Sequence, residues 1–504
     1  MKFNLMKRWN DRVTNHEGFK AHALNTEMEL YSSVVTSSLS DQFYESGAAR
    51  VDRIKALIQE ADPAFIAKLA IYAREKMYLR SIPMALTVEL AKRHKGDALV
   101  SKTVARVVQR ADEITELLAC YAQSNGRVQT KQLAGLSKQL QKGLSASFNR
   151  FDEYQFAKYN RDTAITLRDA LFLVHPKPKD EAQQRLFNKI AQQQLAVPYT
   201  WETALSAVGQ QRYGSEVAKN AAIKATWEAL IRDKSLGYMA MMRNLRNMLQ
   251  ADVSPELIQQ VCDTLADPIA VKHSKQLPFR FLAAYRELKA VPHGLTGKVQ
   301  QALEKALQAS VANMKGFDAN TRVVIACDVS GSMLKPISAK SKILNYDIGL
   351  MLGMLLQYKS QHVVSGMFGD KWKIIQLPTN QILASVDEFY RREGQVGYAT
   401  YGYKVIEDLT NRKYVADKVM MFTDCQLWDD KNDQSLEAAW SSYKKIAPHA
   451  KLYLFDLVGY GKVPVDVREN DVNLIAGWSD KVFEVLEALE NGADALEHIN
   501  SITL

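Results

Sequence analysis

At 504 residues the chain is too long for a single hydrophobic core and should divide into domains of roughly 100 to 200 residues, and its 47% hydrophobic and 24% charged content excludes a disordered or fibrous protein. The net charge of +9 is uneven: residues 1 to 320 carry 45 Lys and Arg against 32 Asp and Glu, while residues 321 to 504 are slightly acidic. A cationic surface gathers polyanions because each neutralised phosphate releases condensed counterions, so the first part is expected to meet nucleic acid, with acidic proteins and anionic membranes as alternatives of the same chemistry.

The opening MKFNLMKRWNDR has no apolar stretch of secretory-signal length, and the longest uncharged apolar run, Ile348 to Leu356, is too short for a bilayer core of about 30 Å. The expectation is a cytoplasmic protein without a membrane partner. From about residue 20 to 316 apolar residues recur at three and four positions, the helical period. Asp62-Pro63 and Ser254-Pro255 each put a side-chain acceptor at an N-cap and a proline at the first helical position, where its missing N–H costs nothing. After the second, Leu257, Ile258, Val261 and Leu265 form one apolar stripe. Many short amphipathic helices joined by short turns predict a helical-repeat scaffold, although no strict period proves it. Cys120, Cys262, Cys327 and Cys425 show no CxxC pairing and read as reduced structural thiols.

The most one-sided segment lies between Glu116 and Asp152, which holds Arg127, Lys131, Lys138, Lys142 and Arg150 and no acid. At 100° per residue Lys131, Lys138 and Lys142 point within about 20° of one direction, with Leu133, Leu136, Leu140 and Leu144 opposite. Lys158, Arg161 and Arg168 continue the basic content, among Phe148, Phe151, Tyr154, Phe156 and Tyr159. Cations beside exposed aromatics hold single-stranded RNA, taking phosphates and stacking bases; the competing reading is a solvated lysine face over ordinary aromatic core. His175, before Pro176, reads as a helix-end residue, and no HExxH, paired histidine or Ser/His/Asp spacing points to an enzyme.

Near residue 320 the pattern changes. Arg322 to Asp328, His362 to Gly369, Lys418 to Asp424 and Lys451 to Leu457 are short apolar β-type runs separated by helical stretches such as Lys342 to Tyr358, the alternation of a doubly wound α/β sheet. Asp328-Val329-Ser330-Gly331-Ser332 directly follows the first of these strands, where ligands bind in open α/β sheets. With Thr400 and the strand-end Asp424 it assembles hard oxygen donors suited to Mg²⁺ or Mn²⁺. The bland alternative is a serine and glycine turn.

These residues resemble the metal-ion-dependent adhesion site (MIDAS) of von Willebrand factor A (vWA) domains. The resemblance implies that Ser330, Ser332 and Thr400 contact the metal and that Asp328 and Asp424 act through water. Tyr398-Ala399-Thr400 stands where such domains usually carry Gly-Gly-Thr.

In the first part, Asp41-Gln42-Phe43-Tyr44-Glu45-Ser46, the run Ala67 to Glu75 with Leu79-Arg80, Leu167-Arg168-Asp169 with His175-Pro176-Lys177-Pro178, and Gly237 to Asn247 resemble the TROVE module of the Ro autoantigen family. Gln276-Leu277-Pro278-Phe279 departs from the His-Pro-Phe of that family. The resemblance implies a mainly α chain: a ring of HEAT-type helical repeats over 1–318, followed by a vWA Rossmann-like domain over 319–504. It also implies a non-catalytic protein that binds small structured Y RNAs and the single-stranded 3′ ends of misfolded RNAs in RNA quality control. Bacterial relatives work with a 3′ exoribonuclease, polynucleotide phosphorylase, tethered through RNA. A ring closed within one chain implies a monomer. The alternative reading is a protein-interaction adaptor that completes its metal site with a partner's carboxylate.

Overall fold

The computed structural model describes residues 12–37, 41–126, 135–161, 163–312, 317–318, 320–338, 341–429, 434–468 and 471–504. Contacts group the chain into two compact units, Met1–Val51 with Gln211–Ala495, and Asp52–Gln210 with Leu496–Leu504. The change of secondary structure expected at 319 appears at Arg322, where the first parallel strand begins; the grouping by contact cuts the chain elsewhere.

The Asp52–Gln210 unit is helical. Asp62 caps the Pro63–Glu75 helix by accepting from Ala64 N at 2.8 Å and Phe65 N at 3.1 Å, as the Asp-Pro pair predicts. Every residue of that helix from Phe65 to Arg74 is buried except Lys68, so most of its surface packs inside its unit. Its Arg74 donates to Glu113 at 2.6 Å, and the other Glu113 oxygen accepts from Gln109 N and Arg110 N. Arg80 pairs with Asp112 at 2.6 Å and also with Glu116. Arg74 and Arg80 are therefore engaged in structural ion pairs, and the buried Arg74 persists because it is paired and hydrogen-bonded.

In the other unit, helices Glu216–Arg232, Tyr238–Gln250, Pro255–Ala266, Pro278–Lys289 and Thr296–Ser310 precede the sheet. Leu257, Ile258, Val261 and Leu265 are buried as one stripe, but the Ser254 side chain makes no capping bond; the proline at N1 starts that helix without it.

We number the strands β1 (Arg12–Thr14), β2 (Lys20–Ala23), β3 (Arg322–Asp328), β4 (His362–Phe368), β5 (Trp372–Ile374), β6 (Lys418–Thr423), β7 (Lys451–Asp456), β8 (Lys462–Val463) and β9 (Val472–Ala476). The large sheet runs β5-β4-β3-β6-β7-β9, parallel except for β5 at one edge. The four β-type runs read from sequence are β3, β4, β6 and β7. Strands β5 and β9, and a small antiparallel sheet β1-β2-β8, were not legible.

Helix Asn345–Lys359, three residues later in starting than its apolar pattern implied, is buried almost all round. Gly349 and Gly353 allow it to lie against the sheet: a Cβ on Gly349 would meet Leu457 at 2.9 Å and Phe422 at 3.2 Å, and one on Gly353 would meet Cys327 Sγ at 3.1 Å. Its first turn is held by Arg286, which donates to both Asp347 oxygens at 2.7 and 2.8 Å. Because the chain passes from β3 outward to β4 and β5 and then returns to β6 on the other side of β3, the carboxyl ends of β3 and β6 flank the topological switch point.

Candidate metal centre and nucleic-acid face

Asp328 ends β3 and Asp424 follows β6, so both carboxylates arrive at the switch point, fully buried. Ser330 N donates to Asp328 Oδ1 at 2.9 Å, and Thr423 Oγ1 donates to Oδ2 at 2.6 Å. The Ser330 and Ser332 hydroxyls lie 3.3 Å apart. Gly331 N donates to Tyr398 O at 3.0 Å, tying the serine loop to the loop of Thr400. Thr400 Oγ1 in turn donates to Gln426 O at 3.2 Å, and Gln426 N donates to Asp424 Oδ1 at 3.0 Å. The five sequence-selected residues Asp328, Ser330, Ser332, Thr400 and Asp424 are thus brought together, and all are buried.

Burial raises both carboxyls above the usual carboxylate range, and the Asp328 charge raises Asp424 further; hydroxyl and amide donors from Ser330, Thr423, Gln426 and Ser332 pull the other way. Among the described residues Asp424 Oδ2 is buried without a hydrogen-bond partner of ordinary geometry. An orphaned carboxylate oxygen beside paired hydroxyls is what a hard cation would satisfy, so the donor set fits a divalent ion. Among the described residues no cluster of three or more His, Cys, Asp or Glu side chains forms an alternative metal site.

Sequence reasoning passed over Asp456 at the end of β7. It accepts from Ser32 Oγ at 2.5 Å and from Val458 N and Gly459 N at 3.0 and 2.8 Å, joining helix Thr26–Val35 to the sheet. Its position at a strand end was a visible signal, but its partners are distant in sequence. All four cysteines are free, and burial pushes the Cys327 and Cys425 thiols well up, as inert core thiols require.

The basic face is sorted by the structure into different roles. Arg127 and Lys131 lie outside the described residues. Lys138 and Lys142 are exposed on helix Lys138–Phe148 and have no acidic partner among the described residues, while Leu140, Leu144 and Phe148 are buried on its other side. Leu136, expected on that apolar face, precedes the helix, and Leu133 is not among the described residues. Gly143 permits the close approach: a Cβ there would lie 2.5 Å from Val104 Cβ and 2.8 Å from Ser101 O. Gln141 Nε2 reaches Val174 O at 3.1 Å, linking this helix to the end of helix Leu167–Val174, which carries Arg168.

Arg150 has a structural engagement instead. Its guanidinium donates to Ala105 O at 2.6 Å and to Val108 O, capping helix Leu99–Val107, so its cationic head is already held. Lys158 is exposed beside the Tyr154 and Tyr159 rings, at 5.6 and 5.7 Å from their centroids. Arg161 and Arg168 are exposed and line one cleft with Asn160, Thr166 and Gln193. Arg168 lies 5.8 Å from the ring of Phe172, which is 52% exposed and which sequence reasoning did not select. Conversely Phe148, Phe151 and Phe156 are buried core and cannot stack on a base as they stand; only Tyr154, 49% exposed, and the half-buried Tyr159 remain of the aromatics chosen from sequence. His175 adopts a left-handed conformation, φ 48°, and its N–H donates to Leu171 O, a helix C-cap as read.

A helical scaffold carrying exposed cations, followed by an α/β sheet with an oxygen-donor cluster at its switch point, defines a class of helical-repeat proteins with an appended Rossmann-like domain. The TROVE domain model matches residues 26–225 and 192–315, and the chain belongs to that Ro-like family. Telomerase protein component 1 of Mus musculus is 24% identical over 328 residues, half of this chain and 12% of that protein; the Rattus norvegicus protein is 24% identical over 318. The RNA-binding protein RO60 of Deinococcus radiodurans is 26% identical over 237 residues, 40% of this chain and 43% of that one. The chain therefore matches only part of the length of each of these relatives. The crystal structure of the Deinococcus radiodurans RO (RSR) protein superposes with a TM-score of 0.60 at 17% identity, covering 93% of this chain and 100% of that one. This likeness establishes the fold, mainly α with a doubly wound α/β domain.

Proposed function

We propose that the chain is a non-catalytic RNA-binding protein of RNA quality control. Its helical part, 1–318, takes small structured Y RNA and the single-stranded 3′ ends of misfolded RNA. The observation that carries this reading is the exposed set Lys138, Lys142, Lys158, Arg161 and Arg168, next to the exposed rings of Tyr154 and Phe172, within the region matched by the TROVE model. Cations at this density attract phosphates, and rings stack bases without reading sequence. The name of the Deinococcus radiodurans relative, an RNA-binding protein, supports the same class of ligand. Polynucleotide phosphorylase, tethered through the RNA, is the partner that the family resemblance offers, and the setting is cytoplasmic. Fluorescence anisotropy with a hairpin RNA bearing a single-stranded 3′ tail tests the reading. Changing Lys138, Lys142 and Arg168 together to Ala should weaken binding several-fold or more at moderate salt, and unchanged affinity would remove the site.

The orphaned Asp424 Oδ2 favours a second role for residues 319–504, as a vWA domain whose MIDAS holds Mg²⁺ or Mn²⁺ and takes a carboxylate from a partner protein. Ser330, Ser332 and Thr400 would hold the ion directly, with Asp328 and Asp424 through water. A bound cation supplies positive charge that neutralises the two aspartates and attracts an anionic ligand. The chain's own contribution is the rigid strand-end geometry that fixes the donors. Adding EDTA, or changing Asp328 to Ala, should release a protein partner and leave RNA affinity intact. RNA incubated with the protein and Mg²⁺ should stay whole; cleavage lost on Asp424→Ala would make the chain an enzyme.

A further inference from the structure

Arg161 and Leu167, which line the cleft of Arg168, also line a second cavity of about 250 Å³ in the same helical unit. Its wall is apolar where Phe156, Ile165 and Leu167 are buried. The half-buried Tyr159 lines it too, and that ring is held by Arg110, whose guanidinium lies 4.4 Å from the ring centre. Arg110 in turn donates to Asp112 at 2.8 and 3.1 Å, and Arg80 donates to the same carboxylate at 2.6 Å, so both oxygens of this lining residue are spent. Glu116 differs. Its Oε1 accepts from Arg80, whereas its Oε2 accepts no hydrogen bond among the described residues. Thr115 Oγ1 donates to Asp112 O at 2.9 Å and Thr163 Oγ1 donates to Ile165 O at 2.8 Å. Each of these lining hydroxyls has used its one proton and offers only lone pairs. Facing these acceptors, the donors among the lining side chains are Arg161 and the Tyr159 hydroxyl.

We propose that this cavity is a base pocket of the RNA site and that it selects a base carrying an exocyclic amino group. Single-stranded RNA is recognised by splaying bases out, stacking them on rings and hydrogen-bonding their edges, and an apolar cavity with a few convergent polar atoms suits that use. With a phosphate on Arg161 and Arg168, the base of the adjoining nucleotide enters beside Arg161, which is common to both clefts. Its amino hydrogens go to Glu116 Oε2 and the threonine oxygens, as carboxylates accept from the cytosine amino group in DNA grooves. Uracil puts a carbonyl oxygen where cytosine puts that amino group. An oxygen facing acceptors is left unpaired and repelled, so the pocket rejects it. Phosphate contacts alone give no such preference, because every nucleotide carries the same phosphate. The proposal rests on the RNA reading above and adds to it a choice of base.

Fluorescence anisotropy with the full chain tests this, using a hairpin RNA with an all-uridine 3′ tail and the same RNA with a single tail uridine replaced by cytidine at successive positions. Length and phosphate count stay the same throughout. At one position in the tail, cytidine should bind several-fold more tightly than uridine. Glu116→Gln, which can turn an amide N–H₂ toward the cavity in place of the free oxygen, should abolish that preference and leave the all-uridine affinity and its salt dependence in place. Thr163→Val should reduce the preference; Thr163 is exposed, so this variant decides the matter if Glu116→Gln melts at a lower temperature. Equal affinity for every tail, or a preference that survives both substitutions, overturns the pocket while the cationic RNA face stands. If the unaltered protein binds no tailed RNA, both readings fail.

Discussion

Asp328 and Asp424 illustrate how burial sets the behaviour of single residues. Each carboxyl titrates higher in the folded chain than in the unfolded one, because burial and, for Asp424, the neighbouring charge disfavour ionisation. The folded state then holds protons that the unfolded state releases, so the cation-free protein should gain stability as pH falls from about 7 toward 4 and lose it as pH rises through the same window. Cation binding runs the other way, since the ion must displace those protons. Thermal melts across that window with EDTA and with Mg²⁺ should diverge most at the alkaline end; a stabilisation by Mg²⁺ independent of pH would contradict the assignment. Asp424→Asn removes one of two repelling buried charges and should raise the EDTA melting temperature while removing the response to Mg²⁺. These donors were readable in sequence because strand-end oxygens follow apolar runs directly. The contact of Asn15 and His16 with the loop after Asp424 was not, because only the fold brings residue 16 to residue 426.

Helix Lys138–Phe148 shows what an element contributes beyond its residues. Glycine inside a helix ordinarily costs about 0.5 to 1 kcal/mol relative to alanine. At position 143 the approach of Val104 and Ser101 reverses that preference. Gly143→Ala should therefore destabilise the protein by about 1 to 3 kcal/mol, read as a lower melting temperature; a rise would show that the two helices can move apart. Arg150→Met should also destabilise, by about 1 to 3 kcal/mol, because carbonyls at the end of helix Leu99–Val107 lose their donor. Its effect on the salt dependence of RNA binding should be negligible, unlike that of Lys142→Ala. Lys131 and Leu133 lie outside the described residues; the exposed Lys138 and Lys142 were legible because their spacing sets them opposite Leu140 and Leu144. The capping role of Arg150 was not, since its acceptors lie some forty residues away. The aromatic content misled for a related reason: Phe148, Phe151 and Phe156 have the spacing of core residues and are core, while Phe172 is exposed at a position that composition alone does not mark.

Across the chain, four parallel strands and the helical character of the first part followed from periodicity, because buried parallel strands are uninterrupted apolar runs and amphipathic helices repeat at 3.6. The short strands β1, β2 and β8 escaped because pairing, not composition, creates them. Their pairing carries residues 12 to 23 to the strand at 462, a connection that no local pattern predicts. The central claim is that the helical region is an RNA-binding surface held by phosphate contacts, and the most direct test is the slope of log affinity against log salt for a 3′-tailed RNA. The unaltered protein should lose affinity steeply with salt, and the Lys138, Lys142 and Arg168 triple alanine variant should bind more weakly with a slope shallower by about three phosphate contacts. Equal slopes and equal affinities for the two proteins would contradict the account.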